Sequence, residues 1–166
     1  MANLPAARME VSNTSSDLIQ LVSFMLADEE YGVEVLKVHE IIRIPTITKM
    51  PNAPQHIEGI INLRGRVIPI ISMRRRFNLV ENENSSQTRI IIMDVGGCQT
   101  GFIVDAVSEV IRIHRGEIQP PPSLVLSGAI GQEFITGVFN HVERLLIIMD
   151  IDQMFSVDER EGFGEI

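Results

Sequence analysis

Four histidines, one cysteine, a run of three arginines and a pair of aspartates are the residues of this 166-residue chain whose types invite a chemical reading. His39, His56, His114 and His141 are scattered. None stands in the HExxH spacing that turns two imidazoles to one face of a helix to hold a metal. The single Cys98 allows no internal disulfide and no multi-cysteine metal site, and its place in an apolar run marks a buried, unreactive thiol. Gly96-Gly97 is a hairpin turn rather than a phosphate cradle, and no nucleophile elbow is present. Arg74-Arg75-Arg76 suggests contact with nucleic acid, which would weaken steeply with salt. A formal net charge of −8, no tryptophan and one tyrosine oppose that reading. The arginines are better explained as the solvent-facing side of a short helix. No catalytic constellation can be assembled.

The elements that must position these residues are short strands. Ile57–Ile61 and Val67–Ile71 are rich in β-branched residues and flank the polar turn Asn62-Leu63-Arg64-Gly65. Gly65 supplies the positive φ of a hairpin, Ser72 caps a short helix over Met73–Phe77, and Pro69 points to a sheet edge or a bulge. Leu18–Leu26 alternates as a strand, followed by a polar turn at Asp28-Glu29-Glu30. Val35, Val38 and Ile41 or Ile42 recur at spacings of three or four, which predicts a helical turn there. Arg89–Val95 and Cys98–Val104 form a hairpin, Val107–Ile113 is extended, and Gly116–Gly131 is a long loop. Phe134–Asn140 and Val142–Asp150 are strands around Asn140-His141, and Ile151–Phe155 is a short helix capped by Asp150. Residues 1–17 and 157–166 are expected to be flexible tails. No stretch approaches the length of a membrane-spanning helix and no secretory signal is present, so a cytoplasmic protein is expected.

The chain also repeats itself. Gly32–Ile44 aligns without gaps on Gly101–Ile113, so that Val35 meets Val104, Val38 meets Val107 and Glu40 meets Glu109. Gly59-Ile60-Ile61-Asn62 aligns on Gly137-Val138-Phe139-Asn140, and onward Arg66 meets Arg144, Ile70 meets Ile148 and Phe77 meets Phe155. Asp150 and Asp152 fall opposite Ser72 and Arg74, so they do not form a metal or acid–base pair that both copies need. The expected fold is therefore all-β, with two similar barrels covering about residues 18–80 and 88–156. Leu63-Arg64-Gly65 becomes His141-Val142-Glu143 in the second copy. Arg64 is thus dispensable for the shared architecture, and a role specific to the first barrel is expected.

The runs GIINLRGRVIPI, YGVEVLKVHEII and GFIVDAVSEVIRI together resemble the CheW family of bacterial chemotaxis adaptors, over about residues 18–156. The resemblance implies two SH3-like five-stranded β-barrel subdomains with short helical turns. It implies no catalysis and no cofactor, but a scaffold that joins the regulatory domain of the histidine kinase CheA to the cytoplasmic tips of methyl-accepting chemoreceptors. Recruitment to membrane-associated receptor arrays follows, without insertion into the membrane or binding of nucleic acid. The receptor's helical hairpin tip would lie in an apolar groove between the barrels, at Val22, Val35, Val38, Ile41, Val104 and Val107. A charge pair falls on Glu40 and Arg64, beside the turn residues Asn62 and Gly65, and the kinase contact falls on Ile47 and Val67.

Overall fold

A computed structural model describes residues 17–54, 57–77, 79–80, 83–121 and 134–154. The two tails, except Asp17, His56, Phe155 and most of the loop expected at Gly116–Gly131 lie outside the described residues. Ten strands are present among the described residues: β1 (Leu18–Leu26), β2 (Glu29–Glu34), β3 (Val38–Arg43), β4 (Ile57–Leu63), β5 (Arg66–Ser72), β6 (Arg89–Val95), β7 (Cys98–Val104), β8 (Ala106–His114), β9 (Ile135–His141) and β10 (Arg144–Met149). Two short helices, α1 (Met73–Arg76) and α2 (Ile151–Met154), follow β5 and β10. Ser72 caps α1 by accepting the Arg75 N–H at 3.3 Å, and Asp150 Oδ1 accepts the Asp152 N–H at 3.0 Å. Such a cap contributes about 1 kcal/mol.

The strands form two five-stranded sheets, ordered β8-β1-β2-β10-β9 and β3-β6-β7-β5-β4. Under the sequence repeat β1 corresponds to β6, β2 to β7, and β3, β4 and β5 to β8, β9 and β10. That substitution turns one sheet order into the other. The sheets do not coincide with the two halves of the chain, however. Each half lends its first hairpin to the sheet completed by the other half's last three strands. The expected division near residues 80 and 88 is therefore replaced by an intertwined pair. The lending is made by parallel pairs, β2 with β10 and β5 with β7, and Ile148 opposite Gly32 is matched by Ile70 opposite Gly101. Each sheet is closed by an isolated bridge, Thr48 to Ile60 in one and Gln119 to Val138 in the other.

Gly59 and Gly137 permit that closure. A Cβ on Gly59 would lie 2.3 Å from the Thr48 carbonyl oxygen, and one on Gly137 would lie 2.3 Å from Ile118 Cγ2. Each sheet has its own core. Ile61, Ile68, Ile70, Ile90 and Ile92 fill one, and Ile19, Leu21, Ile111, Ile113, Leu146 and Ile148 fill the other. A third and larger cluster joins the sheets, with Val22, Phe24 and Val33 from one and Ile91, Met93, Phe102 and Val104 from the other. The rings of Phe24, Tyr31, Phe77 and Phe134 run through its edge, with successive centroids 5.9, 5.4 and 5.2 Å apart. Full burial of each such apolar side chain is worth about 1.5–3 kcal/mol.

Several local expectations change. The expected short helical turn is present as a 3-10 turn at Val35–Lys37, while the spacing of three from Val38 to Ile41 comes from a bulge in β3. The register passes from Val38–Met93 to Glu40–Ile92, so His39 is the extra residue. A bulge inserts one residue and leaves Val38 and Ile41 on a single face. The turn after β1 is centred on Ala27 and Asp28, while Glu29 opens β2 and Glu30 is buried. The last hairpin turns at Val142-Glu143, with φ of 47° and 68°, two residues beyond Asn140-His141. Pro69 is neither on an edge strand nor at a bulge. It pairs across β4 with Ile60, whose own N–H and C=O bond to Thr48, and the ladder to β7 begins only at Ile70. Its missing N–H therefore leaves no ladder bond unmade.

Candidate functional site: an apolar saddle and a charged turn

The β3 bulge decides what the first barrel displays. Val38 and Ile41 stand opposite Met93 and Ile91, on the side of the core that joins the sheets, while Glu40 and Ile42 stand opposite Ile92 and Ile90. The second barrel repeats the device in β8. The register passes from Ser23–Glu109 to Phe24–Val107, which makes Ser108 the extra residue and leaves Val107 and Val110 on one face. Both bulged strands are sheet edges, since β3 and β8 each end a strand order.

The six expected groove residues divide accordingly. Val35, Val38 and Val107 are half-buried and pack on the inter-sheet cluster, and Ile41 is exposed. Val22 and Val104 are 3% and 0% exposed. As contact residues they are corrected: they underlie the surface, because each lies inside the core shared by the sheets. Val110, not among the six, is 56% exposed and opposite Val22. The signal was available, since the gap-free alignment sets Val110 against Ile41. The resulting pattern is a quasi-symmetric pair of apolar edges, Val38 and Ile41 on β3 and Val107 and Val110 on β8, with Val38 and Val107 both packed on the cluster that joins the sheets.

Arg64 and Gly65 form the two-residue turn between β4 and β5, with φ of 52° and 84°. Asn62 Oδ1 accepts the Gly65 N–H at 2.9 Å and fixes the turn. Arg64 grips Glu40 with both terminal nitrogens, at 2.7 and 2.9 Å. The hydrogen bonds from Arg64 hold the Glu40 carboxyl below the usual range, and they raise the guanidinium in turn. A planar fork on a carboxylate fixes orientation as well as charge. The second barrel keeps Glu109 where the first has Glu40, and His141 Nε2 stands 3.6 Å from it. The two-point fork of the first barrel has no counterpart on Glu109 among the hydrogen bonds of the described residues. Ile47 packs over Gly59, and Val67, 55% exposed, stands opposite Asn62 farther along β4.

The arginine run is tied to the protein. Arg74 holds Asp105 at 2.8 and 2.6 Å and donates to the Val80 carbonyl, while Arg75 pairs with Glu58 at 2.6 Å. A phosphate backbone would have to displace these carboxylates. Burial pushes the Cys98 thiol above its ordinary range, and neighbouring Asp94 adds to the rise, in keeping with an unreactive cysteine. Among the described residues no group of three or more His, Cys, Asp or Glu could hold a metal ion, and no helix is long and apolar enough to cross a membrane.

The CheW-like domain model matches residues 20–159. A chemotaxis protein CheW of Treponema pallidum is 34% identical over 156 residues, covering 92% of this chain and 91% of that protein. A chemotaxis protein CheW of Bacillus subtilis is 33% identical, covering 86% of this chain and 90% of that protein. The crystal structure of the scaffolding protein TtCheW from Thermoanaerobacter tengcongensis superposes with a TM-score of 0.76 at 40% identity, covering 84% of this chain and 89% of that one.

Proposed function

The chain belongs to the CheW family of non-catalytic chemotaxis scaffold proteins, and from that membership we propose that it couples the histidine kinase CheA to chemoreceptor tips. In this reading it works in the cytoplasm, recruited to membrane-associated receptor arrays. The saddle of Val38, Ile41, Val107 and Val110 is the observation that carries the proposal. A receptor tip is a helical hairpin, and two helices present two apolar stripes. A surface built from two equivalent edge strands offers one apolar edge to each stripe. Val35 flanks the saddle, and Val22 and Val104 support it from beneath.

The Glu40–Arg64 fork, with Asn62 and Gly65, holds the first barrel's turn in one shape beside β3. Its task is to fix the geometry of the groove edge. Ile47 and Val67, on β4's other flank and on β5, form the face offered to the regulatory domain of the kinase.

The test is a pull-down with a receptor cytoplasmic fragment and, separately, with the kinase regulatory domain. Val38→Glu and Val110→Glu should lose the receptor fragment and keep the kinase, whereas Val67→Glu should do the reverse. Arg64→Glu should weaken receptor capture without unfolding the protein. Unchanged capture by Val38→Glu and Val110→Glu would remove the saddle from the site, and a wild type that binds neither partner would overturn the function.

A further inference from the structure

Two charged fasteners sit where the chain passes from one sheet to the other, just ahead of the two strands that carry the proposed docking saddle. At the β7–β8 crossover Asp105 accepts from Arg74 of α1 at 2.8 and 2.6 Å and from the Ala27 N–H at 2.7 Å. At the β2–β3 crossover Lys37 reaches Asp152 of α2 at 3.1 Å. Arg74 and Asp152 are mates in the repeat, and Lys37 adjoins Leu36, the mate of Asp105. The two fasteners therefore occupy equivalent places with their signs reversed.

In both, the cation comes from the first half of the chain and the anion from the second. The composition leans the same way. Residues 18–80 hold eight basic and six acidic side chains, and residues 88–156 hold four basic and eight acidic. A barrel built from two first halves would set Leu36 and Lys37 against Arg74. One built from two second halves would set Asp105 and Ala106 against Asp152. Each would replace an attraction by like charges. Glu34 and Arg115 also cross between the halves, at 3.6 Å and with the opposite sign. The mate of Glu34 is Ile103, so pairing like halves would only lose that contact.

We propose that these charges form a pairing code. The two repeats share strand pattern, sheet order and the matched glycines Gly32 with Gly101 and Gly59 with Gly137, so packing alone discriminates weakly between like and unlike halves. The crossover charges direct each hairpin to the opposite half's barrel and disfavour its return to its own half's strands or its capture by the same half of a second molecule. The partner recognised is the complementary half of this chain.

Two measurements test this, one on the intact chain and one on the chain cut between its halves. Asp105→Arg with Asp152→Lys makes all four positions cationic and should lower the melting temperature by about 5 °C or more. Adding Arg74→Asp and Lys37→Asp restores opposite signs in reverse and should recover more than half of that loss, the Ala27 contact accounting for the rest. In the second measurement a protease site inserted after Ser85 is cut in the folded protein, which is then unfolded, refolded and weighed by native mass spectrometry. The parent should give pairs of one first and one second half, with like-half pairs disfavoured about tenfold or more. The doubly reversed protein should lose that preference and the quadruple variant should regain it. A quadruple variant no more stable than the double, or like-half pairs at statistical frequency in the parent, would overturn the code.

Discussion

Replacing Gly59 with alanine should be far more damaging than one added methyl suggests. The new Cβ would lie 2.3 Å from the Thr48 carbonyl oxygen, 2.9 Å from its carbon and 2.8 Å from Ile47 Cγ2. Two of these are backbone atoms and cannot rotate aside. Relief requires the segment before β4 to move off by about 1 Å, against ordinary contact distances. That segment is held by the Thr48 N–H to the Ile60 carbonyl at 2.9 Å and by the Ile60 N–H to the Thr48 carbonyl at 2.8 Å. Losing both bonds costs about 2 kcal/mol, and the overpacking of Ile47 adds about 1–2 kcal/mol. The total, about 3–4 kcal/mol, corresponds to a fall of about 10 °C in Tm for a chain of this size. Gly32→Ala is the control. Its Cβ meets only the Leu146 side chain, at 3.3 Å, and should cost about 1 kcal/mol or less. Thermal melts followed by circular dichroism, with urea titrations to check two-state behaviour, give both numbers. Equal losses for the two variants, or a Gly59→Ala protein within about 1 kcal/mol of the parent, would refute the closure by the Thr48–Ile60 bridge.

Acid should loosen the β7–β8 crossover. Burial pushes the Asp105 carboxyl upward, but the bonds from Arg74 and from the Ala27 N–H outweigh it and leave the group below its ordinary range. With the folded value depressed, its stabilisation is complete above the unfolded value of about 4 and fades as pH falls through the folded one. Asp105→Asn should therefore flatten the acid limb of the stability–pH curve, and an unchanged limb would remove Asp105 from that role. The turn Val142-Glu143 holds two non-glycine residues at positive φ. Glu143→Gly should raise stability by about 0.5–1 kcal/mol in urea titrations, and a loss of stability would refute the positive φ at Glu143 as a source of strain.

Most strand boundaries are legible because alternation and turn chemistry are local. Arg89–Val95 and Cys98–Val104 follow from Gly96-Gly97 alone, and Ser72 marks the start of α1. The charged turn is legible for another reason: Arg64 breaks a repeat that its neighbours obey. The intertwining is not legible. Gly32 and Gly101 are matched glycines facing matched isoleucines, so β2 could meet its own half's β5 as readily as β10 on local grounds. The two apolar edges were half legible. A spacing of three is shared by a helical turn and a bulged strand, and only the register separates them. Burial separated Val22 and Val104 from their neighbours, because a valine in the core and one above it carry the same pattern.

The exchange of hairpins also dictates an order of events during synthesis. The first strands made, β1 and β2, belong to the sheet that needs β8, β9 and β10, the last strands to leave the ribosome. The barrel formed by β3 to β7 can close while the remainder is still being translated. Until β10 follows, the β1–β2 hairpin waits with Leu21, Val22, Phe24 and Val33 uncovered, from Glu34 to Met149, about 115 residues at roughly 5–20 residues per second. For those seconds the nascent chain carries an open, apolar strand edge, and its safety rests on how quickly the C-terminal strands arrive.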